Sequence, residues 1–263
     1  MDNRDKTIIR SFSVDDIRFD IIVQGYPGKS VCHGPLGWST VAMARGRSRV
    51  VLVDVGSFPY RGLLRQYFEE NGLRYEDVTD VLLTHCHYDH SVNWVMFPKA
   101  TIHIAADEMR WAASVPWGDA GVPELYTREL AAAANANLVS DGDVLAGAFE
   151  VRPAPGHTPG SVLFVMHGSE RDVIFTGDAA KNRMELLSKN SVETRDAADS
   201  NRTFELIWDL WSRKPGSIVV PGHDVPMALS DGVPRYLTER EAAIVCWGGD
   251  TPDDATVIDL SGD

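Results

Sequence analysis

Three of the eight histidines of this chain, together with one aspartate, fall within a segment of six residues. His85, His87, Asp89 and His90 stand in the stretch THCHYDH, directly after the apolar segment VTDVLL. Imidazole and carboxylate groups are ligands that zinc and similar divalent metals accept. A loop that leaves the end of a strand carries its side chains into a cleft. The segment therefore predicts a metal site. Alternation along the extended chain turns Cys86 away from that site, so we expect it to pack in the core.

Three further potential ligands follow other predicted strands: His157 comes after FEVRPA, Asp178 after DVIFTG and His223 after SIVVP. Each is flanked by glycine or proline, and glycine lets a backbone approach a site closely or adopt an unusual φ angle. A single histidine in a turn is more often a surface residue than a ligand, but four such strand ends in one chain favour a shared site. We expect all three side chains to converge on the histidine-rich segment.

Apolar runs with β-branched residues alternate along the chain with segments of helical periodicity. Strands are predicted at 17–26, in a hairpin over 39–56, and at 78–84, 101–105, 149–154, 161–167, 172–177 and 217–222. Helices are predicted at 61–73, 108–114, 123–137, 201–213 and 233–247. No segment has the composition of a linker and no short repeat occurs. We therefore expect residues 1–263 to form one α/β (α+β) domain.

The chain carries a net charge of −13. An acidic protein is repelled by nucleic acid and by anionic lipid, so we expect neither as a partner and expect a small-molecule substrate instead. The polar segment 1–16 lacks the apolar core of a secretory signal, and three scattered cysteines do not make a disulfide framework. Both features predict a cytoplasmic protein. The sequence leaves the oligomeric state open, and a homodimer is one of the states compatible with it.

The strand-end motifs resemble, in their order along the chain, those of the metallo-β-lactamase superfamily. The resemblance runs from about Val50 to Asp224 through VLVDVG, THCHYDH, PGHTPGS, TGDAA and VPGHD. It implies a four-layer αβ/βα sandwich. In this fold two sheets pack face to face, helices cover their outer faces, and the metal ions lie at one edge of the sheets.

The resemblance also implies two zinc sites that share a bridging carboxylate. Their ligands would be His85, His87 and His157 for the first ion, Asp89, His90 and His223 for the second, and Asp178 for the bridge. Asp54, in VLVDVG, resembles an aspartate that orients a ligand from behind, with a strand-end cap as the alternative interpretation. Iron or manganese would accept the same ligands.

A pair of zinc ions is suited to hydrolysis, because zinc lowers the pKa of bound water so that hydroxide exists at neutral pH. The resemblance implies that a hydroxide bridging the two ions attacks a carbonyl carbon. Asp89, close to the hydroxide, is the candidate to accept or shuttle the proton. A serine or cysteine nucleophile is not required.

Features of the family narrow the class of substrate but do not identify the compound. Lactonases, thioesterases and phosphodiesterases of this fold keep an aspartate at the position of Asp178, whereas true β-lactamases generally lack it. The stretch from THCHYDH to FP resembles the quorum-quenching acyl-homoserine-lactone lactonases and the glyoxalase II-like proteins. Lactonases commonly have a tyrosine three residues after the bridging aspartate, and this chain has Lys181 there. Lys181 could act on a substrate oxygen, pair with a substrate carboxylate or carboxamide, or be a solvated surface residue.

The sequence therefore predicts a dinuclear zinc-dependent hydrolase of a small carbonyl substrate, lactonase-like in its reaction. A glyoxalase II-like thioesterase is the alternative among hydrolases. An iron-dependent redox protein of the same fold is the alternative from another class. Asp89 and Lys181 are the residues expected to act on the substrate or its protons.

Overall fold

The computed structural model describes residues 10–251 and 253–262. These residues contain eighteen strands and six α-helices. The strands of the first half are β1 (Arg10–Val14), β2 (Ile17–Val23), β3 (Lys29–Ser30), β4 (Gly34–Pro35), β5 (Val41–Gly46), β6 (Arg49–Val53), β7 (Asp80–Leu83), β8 (Thr101–Ala105) and β9 (Ala136–Val139). Those of the second half are β10 (Val144–Leu145), β11 (Phe149–Pro153), β12 (Val162–His167), β13 (Asp172–Gly177), β14 (Ile218–Pro221), β15 (Met227–Ser230), β16 (Val233–Tyr236), β17 (Ala243–Trp247) and β18 (Ala255–Asp259). The helices are α1 (Arg61–Glu70), α2 (Tyr88–Ser91), α3 (Ala106–Ser114), α4 (Glu124–Ala132), α5 (Arg183–Ser188) and α6 (Ala197–Ser212).

Two seven-stranded sheets contain most of these strands. The first has the order β1-β2-β5-β6-β7-β8-β9 and is antiparallel as far as β6, then parallel from β6 to β9. The second has the order β10-β11-β12-β13-β14-β15-β16 and is antiparallel except for the parallel pair β13 and β14. The strands β3 and β4 form a separate small hairpin, as do β17 and β18.

Three apolar clusters fix the layers. The central cluster lies between the sheets and brings Phe19 and Leu82 of the first sheet together with Phe164 and Val220 of the second. A second cluster packs α1, α3 and α4 against the outer face of the first sheet. A third packs α6 against the outer face of the second sheet. The layers follow one another as helix, sheet, sheet and helix, so the predicted four-layer αβ/βα sandwich is confirmed.

The predicted hairpin over 39–56 is confirmed as β5 and β6, in which Gly46 pairs with Arg49. The two residues of its turn, Arg47 and Ser48, have φ angles of 51° and 61°. Positive φ at both central residues is typical of a type I′ turn, whose twist matches that of the flanking strands.

The helix predicted at 233–247 is wrong, because this segment forms the edge strand β16 and then β17. Pro234 pairs with Leu229 on β15, and an edge strand tolerates a proline since one side of its backbone needs no partner. Along β17 exposed and half-buried side chains alternate, which is the period of a strand. The acidic tail after it is ordered in part as β18, which pairs with β17.

The helix predicted at 123–137 is correct only as far as Ala132, where α4 ends. The alanine-rich continuation favours a helix locally. However, β8 offers an unpaired edge, and residues 136–139 pair with it in parallel as β9. Asn135 supports this change of direction, since its side-chain amide donates to the carbonyl of Ala100 at 2.8 Å. Pairing within the sheet thus overrides the helical propensity.

Residues 1–9 fall outside the described residues, so the prediction about a secretory signal lies mostly beyond them. Among the described helices, none has the length and apolar character needed to cross a bilayer.

A buried carboxylate joins three strands and a helix at the far edge of the first sheet. The side chain of Asp20 is fully buried and accepts hydrogen bonds from Arg18 at 2.9 Å, Arg45 at 2.7 Å and Tyr67 at 2.8 Å, and from the hydroxyl of Ser11. Burial opposes ionisation, but the hydrogen bonds from Ser11, Tyr67 and the two arginines outweigh it and lower the pKa of Asp20. These bonds tie β1, β2, β5 and α1 together.

We expect Asp20→Ala to lower the free energy of unfolding by about 2 kcal/mol at pH 7, because it removes the shared acceptor of four side chains and leaves the buried Tyr67 hydroxyl without its carboxylate partner. The pKa of Asp20 is lower in the folded protein than its ordinary value of 3.8. The stabilisation is therefore complete above that pH and is lost as the pH falls below it. Urea unfolding at pH 7 and at decreasing pH should show the wild-type and variant stabilities converging in acid. Asp16→Ala removes an exposed ion pair with Arg47 and serves as the control, with little change expected.

Candidate metal centre

The predicted ligands stand where neighbouring strands end at one edge of the sandwich. In the first sheet, β7 leads directly to His85 and His87, and the short helix α2 carries Asp89 and His90. In the second sheet β11, β13 and β14 run in the same direction, so their carboxyl ends lie together. His157, Asp178 and His223 follow these three strands. The structure therefore brings all seven predicted ligands to one place.

His85, His87 and His157 form one potential metal-binding group, whose donor atoms lie within 4.8 Å of one another. Nδ1 of His87 is 2.9 Å from Nε2 of His157. Burial lowers the pKa of His87 to about 4 and that of His157 to about 3, and it holds the pKa of His85 well below its usual value. All three imidazoles are therefore neutral at pH 7 and have a lone pair available for a metal.

Asp89, His90 and His223 form a second such group, again with donor atoms within 4.8 Å. Nε2 of His90 lies 3.4 Å from Nε2 of His223, which in turn lies 3.5 Å from a carboxylate oxygen of Asp89. Asp178 lies between the two groups. Its Oδ1 is 3.1 Å from Nε2 of His90 and 3.2 Å from Nε2 of His223, whereas its Oδ2 is 3.4 Å from Nε2 of His157.

Asp54 fixes two of the imidazoles from behind. Its Oδ2 lies 2.7 Å from Nδ1 of His90, so that Nδ1 donates to Asp54 and Nε2 of His90 points toward the group. The same carboxylate accepts from the backbone N–H and the hydroxyl of Thr84, both at 2.8 Å. The Thr84 hydroxyl oxygen in turn lies 3.1 Å from Nδ1 of His85 and can accept its proton. Asp54 thus has both the orienting contact and the strand-end contact that the sequence left as alternatives.

Backbone carbonyls orient two more of the histidines. Nδ1 of His157 lies 3.2 Å from the carbonyl oxygen of Glu193, and Nδ1 of His223 lies 3.0 Å from that of Trp38. Each ring donates outward through Nδ1, which directs Nε2 at the centre. This arrangement fixes both the tautomer and the orientation that a ligating histidine needs.

Two potential ligand atoms at the centre receive no hydrogen bond from this network. Among the described residues, Nε2 of His85 and Oδ1 of Asp178 are buried without a hydrogen-bond partner. Leaving such an atom unsatisfied costs about 1–3 kcal/mol. A divalent cation would satisfy both, and nitrogen and carboxylate donors suit zinc, iron or manganese. The residues present therefore fit a metal centre.

Close backbone approach makes room for the central carboxylate. A Cβ atom on Gly222 would lie 2.3 Å from Oδ1 of Asp178, so any other residue here would displace it. The glycine of the VPGHD motif thus has the steric role that the sequence suggested for glycines beside the ligands.

A cavity of about 500 Å³ opens above the centre. Five of the predicted ligands line its floor: His87, Asp89, His157, Asp178 and His223. Its walls come from the segment around β3 and β4, from residues 119–121, and from the loops on either side of α5. The cavity is therefore open to a small molecule directly over the centre.

Lys181 lines this cavity and is paired. Its ammonium lies 2.8 Å from Oε1 of the buried Glu185 and donates to the hydroxyl of Ser191 at 3.2 Å. The side chain is 14% exposed, so it is not a solvated surface residue. Its action on a substrate stays a prediction.

Sequence reasoning missed most of the cavity wall. Arg195 lies over the Trp111 ring at 4.7 Å and forms an ion pair with Asp119 at 3.0 Å. Asp119 also accepts from the backbone of Gly121, which packs against the His87 ring. Arg195, Asp119 and Gly121 stand in no recognisable motif, because loops from different parts of the chain build the wall. Cys86, in contrast, is buried in the core as predicted.

Comparison with known proteins identifies the family. The family model described as the metallo-beta-lactamase superfamily matches residues 36–223, a range that contains all seven predicted ligands. The chain belongs to this superfamily. The fold and the resemblance predicted from the strand-end motifs are thereby confirmed.

Sequence relatives of this chain differ in their identity to it and in the share of the chain that they match. A probable metallo-hydrolase of Mycobacterium bovis is 30% identical over 135 residues, which are 44% of this chain and 41% of that protein. The chain thus spans well under half of that relative. Metallo-beta-lactamase domain-containing protein 1 of Mus musculus is 25% identical over 213 residues, which are 81% of this chain and 72% of that protein.

Solved structures confirm the metallo-β-lactamase fold. A protein of Thermotoga maritima described as a metallo-beta-lactamase superimposes with a TM-score of 0.65 at 23% identity, covering 82% of this chain and 100% of that one. AidC, described as a dizinc quorum-quenching lactonase, superimposes with a TM-score of 0.70 at 14% identity, covering 88% of this chain and 97% of that one.

We expect His87→Ala to abolish turnover and to lower the bound metal from about two ions per chain, while the protein stays folded. His103→Ala is the matched control. His103 is also a buried histidine, but it bonds Asp80 and Asn137 within the first sheet, both at 3.0 Å, and lies outside the centre. We expect that variant to lose stability and keep its metal. Metal analysis after dialysis, thermal unfolding and turnover check the pair. Near-normal activity of His87→Ala with unchanged metal content would contradict the assignment.

Proposed function

We propose that this protein is a dinuclear metal-dependent hydrolase, with zinc as its metal, that opens a lactone or ester of a small, uncharged substrate. The observation that carries the proposal is the arrangement of two donor groups with Asp178 between them. The two groups form the floor of a cavity of about 500 Å³. A cavity of this size suits a small organic molecule. When bound, two divalent ions supply Lewis-acid activation of water and of the substrate carbonyl.

The protein's own residues orient the substrate and move the proton. Asp89 lines the cavity, and its carboxylate is 12% exposed, so it can reach both the reacting water and the leaving group. It takes up the proton released when water attacks and delivers it to the leaving oxygen. Asp54 keeps His90 in place meanwhile through their 2.7 Å hydrogen bond.

The charges around the cavity favour an uncharged substrate. Each cation that lines the cavity has a carboxylate partner within 3.0 Å: Lys29 with Glu193, Lys181 with Glu185, and Arg195 with Asp119. Outside the metal centre, a substrate anion would therefore find no unpaired lysine or arginine among the described residues of the cavity walls. A phosphodiester or a glutathione thioester would have to compete with these pairs for its own counter-charges.

Apolar side chains at the mouth fit a hydrocarbon chain. Met184 and Val192 line the cavity and are about half exposed, at 50% and 47%. Tyr26 and Pro27 line it as well. Exposed apolar side chains grouped at a cavity are typical of a ligand site. The structural likeness to AidC, described as a dizinc quorum-quenching lactonase, supports the choice of a lactone among carbonyl substrates.

A panel of substrates tests the proposal. We expect the zinc-loaded protein to hydrolyse uncharged acyl-homoserine lactones with a kcat/KM at least about tenfold above that for acyl-glutathione thioesters, because the latter place unpaired carboxylates in the cavity. Hydrolysis of a phosphodiester or of a chromogenic cephalosporin is expected to be slower still. Preference for the thioester would favour the thioesterase alternative. A redox-active iron spectrum without hydrolysis of any compound would contradict the proposal.

We expect Lys181→Met to lower kcat/KM by roughly tenfold to a hundredfold, the effect of one charged hydrogen bond, while metal content stays unchanged. This variant also leaves the buried Glu185 without its cationic partner, although the backbone N–H groups of Lys181 and Val192 still donate to it. The double variant Lys181→Met/Glu185→Gln separates the two effects. If Lys181 acts on the substrate, the double variant stays as slow as the single one. Recovery of kcat/KM in the double variant would show that Lys181 serves only to neutralise Glu185.

A further inference from the structure

Glu108 is a fully buried carboxylate in the first turn of α3, and neither the motifs nor the proposed chemistry uses it. Its Oε1 accepts the backbone N–H of Cys86 at 2.8 Å. Its Oε2 accepts the Thr158 hydroxyl at 2.6 Å and the backbone N–H of Gly160 at 3.2 Å. Both oxygens of a carboxyl group can accept hydrogen bonds, so three donors from two loops can share it.

The donors belong to the two loops that bear the three-histidine group. Cys86 stands between His85 and His87, and Thr158 directly follows His157. One loop leaves β7 of the first sheet and the other leaves β11 of the second. Glu108 therefore connects the two sheets directly beside the group whose atoms must converge.

Tight packing shows that the second loop is seated on α3. A Cβ atom on Gly160 would lie 2.0 Å from the backbone nitrogen of Glu108 and 2.4 Å from its Cα. Only glycine allows the loop to approach so closely. The loops also share a main-chain hydrogen bond, from the N–H of Val162 to the carbonyl of Thr84 at 3.0 Å. The sheets therefore stay joined if Glu108 is replaced, and the change falls on the fine placement of the histidines.

We propose that Glu108 is the positioning residue of the three-histidine group: it sets the distance of His157 from His85 and His87 and thereby the metal affinity of that group. This role rests on the proposed metal centre. Groups that hold ligands from behind change metal affinity by about tenfold to a hundredfold when they are removed. Asp54 performs the equivalent task for His90, so the two groups would be adjusted by separate carboxylates.

The test is a cobalt(II) titration of metal-free protein, followed by the visible absorption of the bound ion and by calorimetry. For wild type we expect about two sites per chain. For Glu108→Gln we expect one site to weaken by about tenfold to a hundredfold and the other to stay unchanged, with cooperative thermal unfolding retained. Thr158→Val removes one donor and should weaken the same site to a lesser degree. Thr158→Ser keeps the hydroxyl and should titrate like wild type.

Asp80→Asn is the control for general loosening. Asp80 is also a buried carboxylate, but it stands at the opposite end of β7, where it accepts from His103 and Arg49. We expect that variant to lose stability and to keep both sites. Two results would overturn the role of Glu108 and leave the proposed function standing. One is an equal loss of metal affinity in Asp80→Asn, and the other is wild-type titration of both Glu108→Gln and Thr158→Val. A wild-type protein that binds no metal would overturn the proposed function together with this role.

Discussion

Five imidazoles and two carboxylates can be buried at one point only if their outward-facing atoms are satisfied elsewhere. The structure meets this constraint with fixed acceptors behind the rings: Asp54 for His90, the Thr84 hydroxyl for His85, and backbone carbonyls for His157 and His223. Each anchor turns the second ring nitrogen inward. The atoms that remain unsatisfied, on His85 and Asp178, are those that a cation would complete. The hydrogen bonds behind the rings thus orient the ligand atoms that face the centre.

The sandwich explains why such an arrangement can be rigid. The two sheets contribute different ligands, and the apolar cluster between them fixes their separation. Any relative movement of the sheets would separate His85 and His87 from His157. A main-chain hydrogen bond between Val162 and Thr84 and the carboxylate of Glu108 join the sheets close to the site, where such movement would have its largest effect. Dense interiors resist small displacements, so a core of this kind suits a site that needs defined distances.

The walls of the cavity are built differently from its floor. The floor consists of residues fixed by strands, whereas the walls consist of loops connected by ion pairs. The pairs Lys29–Glu193 and Arg195–Asp119 each join segments far apart in the chain. They cross the cavity wall and provide counter-charges for the cations that an anionic substrate would need. The net charge of −13 agrees with this, since the whole chain repels anions at long range.

By itself the sequence determined the fold family and the positions of the seven metal-binding candidates. Four of them stand in one histidine-rich segment after an apolar strand, the other three each follow a strand beside a glycine, and such patterns are local. Tertiary structure decided what depends on partners distant in sequence. The segment from Val233 to Trp247 forms strands because a neighbouring edge pairs with it, although its composition reads as a helix. Glu108 and Arg195 stand in no motif, and their significance comes from the loops folded against them. The sequence left Lys181 as either a substrate contact or a solvated surface residue. Its pairing with Glu185 emerged only from the fold, because burial forces a charge to find its counter-charge.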